Sequence, residues 1–210
     1  METVLCGILG YLFGCFSTSY FIAKAKGFDI HEKGSGNAGA SNVMISLGWK
    51  YGILTALIDI LKGFLAVTAA RKLYPANVSA PFIAGCFAVL GHIFPFYLKF
   101  KGGKGYATYT GMILALNWKL AVGLMLWGVA VTLVTDYIAI ATISTCILVP
   151  VYFALQKTDA LSLLLLTVTS LIMIYKHKIN IIRLIHQEEI GLRNNKKHRV
   201  NLDEIKKEEA

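Results

Sequence analysis

The chain has 210 residues, of which 56% are hydrophobic and 16% charged, with a formal net charge of +9 and a mean hydropathy of +0.59. A soluble domain of this length carries less apolar sequence, so the composition points to an all-α polytopic membrane protein. The positive charges lie between apolar segments and at the C-terminal end, as membrane topology requires, which argues against nucleic-acid binding.

The first apolar segment, Val4–Ala25, is preceded only by Met1, Glu2 and Thr3, with no basic n-region and no small-residue cleavage site, and reads as a retained membrane helix. A polar run follows, Gly34-Ser35-Gly36-Asn37-Ala38-Gly39-Ala40-Ser41-Asn42. Glycines at this density let backbone N–H groups turn inward into an anion-binding nest, with Ser and Asn adding donors. Gly34, Gly36 and Gly39 match GxGxxG, but neither a strand nor a βαβ unit surrounds them, so the dinucleotide reading fails on context.

The second span, Tyr51–Ala70, contains Asp59 and Lys62 at i, i+3, which reads as an internal ion pair or the wall of a polar cavity. The third, Pro81–Leu98, carries His92 one turn before a second polar run, Lys99-Phe100-Lys101-Gly102-Gly103-Lys104-Gly105. A lone His92 reads either as a packing residue or as a support for that run. The run lacks the GK[ST] ending of a P-loop, so an ATPase is unsupported, and a flexible turn is the bland alternative for either run alone. Two runs, each joining Gly to Lys, Ser or Asn, favour phosphate binding.

Four further spans are predicted over Tyr106–Leu116, Leu120–Val134, Tyr137–Leu155 and Ala160–Lys176, making seven, of which Tyr106–Leu116 is short enough to be a buried or re-entrant helix. The cysteines Cys6, Cys15, Cys86 and Cys146 all lie in apolar stretches without CxxC spacing and read as core residues. With seven spans, Lys24, Lys26, Lys33, Lys50, Lys99, Lys101, Lys104 and the C-terminal tail share one side, against Arg71, Lys72, Lys119 and Lys157 on the other. The positive-inside rule then places both glycine-rich runs and the C-terminus in the cytoplasm and the N-terminus outside. After Tyr175 the sequence becomes a basic amphipathic stretch suited to the interface, with His177 and Asn180 at i, i+3. Residues 191–210 read as a separate basic polar tail that carries no chemistry. No HExxH, GxSxG or carboxylate pair accompanies the polar runs, and nothing in them calls for a metal or another cofactor.

Gly34–Asn42 (GSGNAGASN), Asp59–Gly63 (DILKG), Gly91–Thr108 (GHIFPFYLKFKGGKGYAT) and His177–Leu184 (HKINIIRL) together resemble the bacterial acyl-phosphate:glycerol-3-phosphate acyltransferases, the PlsY family. The resemblance implies a seven-span enzyme of the bacterial inner membrane with a cytoplasmic site. It would move a fatty acyl group from acyl phosphate to the 1-hydroxyl of glycerol 3-phosphate, giving lysophosphatidate and phosphate for phospholipid synthesis. By the same resemblance Ser35, Gly36, Asn37, Gly39, Ser41 and Asn42 would hold the donor head, and Lys104 with the Gly102 and Gly103 backbone would bind phosphate. His177 and Asn180 would help hold the acceptor, His92 would share the polar centre with Asp59 and Lys62, and a groove between spans would take the acyl tail. Ser35, His92, Lys104 and His177 are the implied catalytic residues. Membrane lipid and association with other phospholipid-synthesis enzymes are further expectations.

Three positions depart from the family pattern. Ile45 stands where TNxxR places an arginine, Asp136-Tyr137-Ile138-Ala139-Ile140-Ala141-Thr142 replaces RYxSLAS, and Ile179 stands where a glutamate is common. The acceptor side has thereby lost charge, which leaves open a paralogue with another acceptor, or a non-catalytic lipid- or acyl-phosphate-binding protein.

Overall fold

A computed structural model describes residues 1–189, 191 and 193; the expected tail, apart from Gly191 and Arg193, lies outside the described residues. The described residues form ten α-helices and no strand: α1 (Glu2–Cys15), α2 (Thr18–Ala25), α3 (Ala40–Leu47), α4 (Trp49–Leu73), α5 (Ala80–Ile93), α6 (Tyr106–Leu116), α7 (Trp118–Thr135), α8 (Ile138–Leu155), α9 (Ala160–Lys176) and α10 (Lys178–Ile185). Side-chain caps set several starts. Asn117 alone separates α6 from α7 and accepts from the Leu120 N–H at 3.0 Å, and Asp159 does the same for α9 through Ser162 at 3.0 Å.

Each predicted span falls on helix, but the third leaves α5 after Ile93 and ends in a separate 3₁₀ turn over Phe96–Leu98, and the first is two helices. The apolar run is continuous through Phe16, yet α1 stops there because tertiary partners take over its carbonyls. The Lys62 ammonium donates to Phe16 O at 2.7 Å and Tyr97 Oη donates to Cys15 O at 2.8 Å, while the Ser17 N–H donates back to Tyr97 Oη at 3.1 Å. A break at membrane depth is tolerated only where the freed backbone groups are satisfied in this way. Among the described residues, five helical stretches are long and apolar enough to cross a membrane, counting α1 with α2 and α5 with the turn to Leu98; a sixth follows if α9 and α10, bent by 53°, are one span. Helix α6 has 11 residues and is shorter than a simple crossing requires.

The core gathers round α5, which packs against α1, α4, α6 and α9. Small residues bring the backbones close: a Cβ on Gly10 or Gly14 of α1 would overlap the carbonyls of Ala84 and Ala88 on α5. Helix α7 lies at the periphery, with Val122, Met125, Leu126, Val129 and Leu133 exposed as a lipid-facing stripe. The molecule is thus a multi-pass membrane protein in which both glycine-rich runs come together at one end of the core.

Candidate active site

The first glycine-rich run folds as a turn leading into α3. Gly34 and Gly36 both take left-handed backbone (φ 60° and 68°), conformations that side chains disfavour. Asn42, fully buried, holds the turn: its Oδ1 accepts the Ser35 N–H at 2.7 Å, and its Nδ2 donates to Ile30 O at 3.1 Å and Lys33 O at 3.0 Å. The Gly36 N–H is also taken up, by Lys33 O at 3.1 Å. The expected nest is therefore corrected at the Ser35 and Gly36 amides. The turn leads into the N-terminus of α3, where helix amides lack intrahelical partners and favour an anion, with Ser35 and Ser41 exposed, Asn37 half-buried and Gly39 buried beside it. Asn42 acts by shaping this turn, since its carboxamide is fully engaged within it.

The second run departs further from expectation. The Gly102 and Gly103 N–H groups donate to Ile93 O at 3.0 Å and His92 O at 3.1 Å, so neither amide is free for a phosphate. The glycines are needed for space: a Cβ on Gly102 would strike His92 O and Pro95, and one on Gly103 the His92 ring. Lys99 and Phe100 reverse the chain in left-handed conformations (φ 52° and 60°). This tight turn projects Lys104, whose ammonium hydrogen-bonds Asn180 Oδ1 on α10. Burial pushes the Lys104 ammonium below the usual lysine range, aided by the Arg183 and Lys176 charges and opposed by the Glu189 carboxylate.

His177, buried at the α9–α10 bend, turns Nδ1 to Met173 O at 2.8 Å and lies within the field of Lys104. Nδ1 is then a donor, which makes Nε2 the acceptor of the neutral ring. Below these groups, Lys62 pairs with Asp59 at 2.8 Å and lies 2.8 Å from His92 Nδ1, all three side chains being buried. The polar centre thus links the break in the first span to the His92–Gly103 contact under the second run. Between α1 and α4 an apolar groove of about 430 Å³, lined by Leu12, Phe13, Phe16, Ile58, Leu61, Lys62 and Leu65, opens beside this centre.

Of the expected site residues, Lys104 and Asn180 hydrogen-bond directly and His177 lies within the Lys104 field, while His92, Asp59 and Lys62 form a second, buried cluster. Ser35 and its neighbours join through the first turn, where Ser19 Oγ also donates to Ala38 O at 2.9 Å. Ile45 stands on α3 with its side chain 47% exposed, Asp136 accepts the Arg193 N–H at 2.9 Å, and the Thr142 hydroxyl donates to Ile138 O at 3.2 Å. Sequence reasoning missed Glu189, whose Oε1 accepts from Asn180 Nδ2 at 2.6 Å, and Tyr97, which satisfies the broken helix; neither lies in a local pattern that signals its partner. Among the described residues, no three His, Cys, Asp or Glu side chains converge as a metal-holding group.

Residues 4–187 match the family model described as Glycerol-3-phosphate acyltransferase. The glycerol-3-phosphate acyltransferase 1 of Oceanobacillus iheyensis is 37% identical over 205 residues, covering 91% of this chain and 96% of that protein. The glycerol-3-phosphate acyltransferase of Bacillus subtilis is 38% identical over 190 residues, covering 90% of this chain and 97% of its own. Among solved structures, the glycerol 3-phosphate form of PlsY (YgiH), an integral membrane glycerol 3-phosphate acyltransferase, superposes with a TM-score of 0.84 at 33% identity, covering 91% of this chain and 96% of that one. Its lysophosphatidic acid form gives 0.81 at 34% identity, with 91% and 95% covered.

Proposed function

This chain belongs to the glycerol-3-phosphate acyltransferase family and is a glycerol-3-phosphate acyltransferase of phospholipid biosynthesis; we propose that its acyl donor is an acyl phosphate and that transfer takes place at the Lys104 end of the core. The observation that carries the site assignment is the Lys104–Asn180 hydrogen bond beside the second glycine turn, with His177 in the Lys104 field and the first loop joined to the second through His31 and the Lys101 carbonyl.

Acyl phosphate is an activated ester-like donor, so the protein has mainly to position two anions and stabilise the charge that develops as phosphate departs. The α3 N-terminus with Ser35, Gly36, Asn37, Gly39 and Ser41 holds the donor head, and Asn42 holds that turn in shape. The acyl tail lies in the groove beside Leu61 and Leu65. Lys104 and Asn180 orient the acceptor phosphate and the departing one, with Gly102 and Gly103 allowing the turn that presents Lys104. His177 Nε2 accepts the proton of the 1-hydroxyl as that oxygen bonds to the acyl carbon. The bond from that carbon to the phosphate oxygen then breaks, and phosphate leaves with the electron pair. His92 positions the second turn, and Asp59 and Lys62 hold His92.

The seven-span topology, with N-terminus outside, C-terminus inside and the site facing the cytoplasm of a bacterial inner membrane, follows from the lysine distribution and belongs to this proposal. So does the division into a membrane domain over residues 1–190 and a basic tail over 191–210. The product remains a substrate for a second acylation, which is the basis for expecting association with other phospholipid-synthesis enzymes.

The donor assignment is tested by supplying glycerol 3-phosphate with either palmitoyl phosphate or palmitoyl-CoA. Lysophosphatidate formed from the phosphate alone is the expected result, and formation from the thioester alone would overturn the assignment.

A further inference from the structure

Deepening the site assignment above, and resting on it, we propose that His31 is a positioning residue that, as an imidazolium, clips the first glycine-rich loop to the second. His31 lies in the short turn Ile30–Glu32 ahead of the first loop. Its Nδ1 is 2.8 Å from Asp29 Oδ1, and its Nε2 is 2.8 Å from the backbone O of Lys101, 70 residues away. A carboxylate and a carbonyl can only accept, so both ring nitrogens must carry hydrogen for both contacts to be hydrogen bonds. That is the charged form. In the neutral ring one nitrogen lone pair would face an oxygen, and one side of the clip would open.

The acceptor on the near side is fixed in its turn. Asp29 Oδ1 also accepts the His31 N–H at 2.9 Å, and these backbone and ring hydrogen bonds hold the Asp29 carboxyl below the usual carboxylate range. The charged groups about the ring are the Asp29 carboxylate that touches it and the Lys101 ammonium, whose field reaches Asp29; Glu32 and Lys33 flank it along the chain.

Both ends of the clip lead straight into the site. The Ile30 and Lys33 carbonyls on either side of His31 receive the two Asn42 Nδ2 bonds that shape the first loop. The Lys101 carbonyl immediately precedes Gly102, Gly103 and Lys104. A change at His31 therefore alters the placement of the donor-binding turn relative to the Lys104 ammonium without touching either substrate.

The test compares wild-type protein with His31→Phe and His31→Arg, whose guanidinium stays charged and can donate to both oxygens. Lysophosphatidate formation from palmitoyl phosphate and glycerol 3-phosphate is measured for all three at one fixed pH. Hydrogen exchange of the backbone amides in residues 33–42 and 101–105 is measured on the same preparations. His31→Phe should lower kcat/KM by about tenfold or more and speed exchange in both segments, whereas His31→Arg should stay within about threefold of wild type. Wild-type activity and exchange in His31→Phe, or an arginine variant as impaired as the phenylalanine one, would overturn the clip. A wild-type protein making no lysophosphatidate would instead remove the assigned reaction, and the exchange comparison would still decide whether His31 joins the loops.

Discussion

Lys104 stands where the second glycine-rich turn meets α10, hydrogen-bonded to Asn180, and in the proposed reaction its ammonium follows the phosphate from bound donor to leaving anion. Lys104→Ala should lower turnover by about 10²-fold or more while detergent-solubilised protein remains monodisperse, a loss typical of removing one charge-stabilising donor. Full activity in that variant would take Lys104 out of the mechanism. Its charge also sets an alkaline limit. Burial makes Lys104 easier to deprotonate than an ordinary lysine, so the ammonium is present below its own titration and lost above it. The kcat/KM for glycerol 3-phosphate should therefore fall at a lower pH than an unperturbed lysine would set, and Lys104→Arg should move that fall upward. An alkaline limb identical in the arginine variant would assign it to another group. Lys104 stood out in a glycine-rich run whose composition suggests phosphate chemistry, whereas His177 and Asn180 were tied to the site only through the family resemblance. His31 and Glu189 were not legible, because their partners, the Lys101 carbonyl and Asn180, are joined to them by folding and by no spacing rule. Gly102 and Gly103 were read as essential for their amides, and the structure shows them essential for the room they leave beside His92.

The apolar runs made every spanning helix legible, since a run of this length has few alternatives to helix in lipid. The break between α1 and α2 was hidden, because it depends on α4 and on the turn after α5. Lys62 and Tyr97 supply donors to the Phe16 and Cys15 carbonyls, and Lys62 also neutralises Asp59. Lys62→Met would leave the buried Asp59 carboxylate with His92, 3.5 Å away, as its remaining partner, and the Phe16 carbonyl without its donor. Removing one partner of a buried pair costs about 3–5 kcal/mol, so the thermal midpoint in detergent should drop sharply. The double variant Lys62→Met with Asp59→Asn, which buries no lone charge, should recover part of that loss. An unchanged midpoint in the single variant would mean that the pair does not hold the break.

At the scale of the whole molecule, the net charge of +9 matters through its arrangement. With seven spans, reporter fusions in a bacterial host should show the N-terminus outside and residues 26–50, 99–105 and the C-terminus inside, which requires the 11-residue α6 to cross. Loops 26–50 and 99–105 reporting from opposite sides would break the site apart. Family membership was legible from the motifs alone, and so was the joining of two polar loops into one centre. Their distance and register were not, because they are set by α1 against α5 and α4 against α6, where glycine-to-backbone contacts such as Gly10 on Ala84 and Gly63 on Thr108 fix how closely the helices approach. The same packing leaves the groove at Leu61 and Leu65 open beside the buried charges, which gives an acyl chain a path to a polar centre without passing through water. The most direct measurement follows inorganic phosphate and lysophosphatidate together when the purified protein, as wild type and as Lys104→Ala, is given palmitoyl phosphate and glycerol 3-phosphate. Equal amounts of the two products from wild type, and neither from the variant, are predicted. Phosphate released by wild type without lysophosphatidate, or neither product from folded wild-type protein, would contradict acyl transfer at this site.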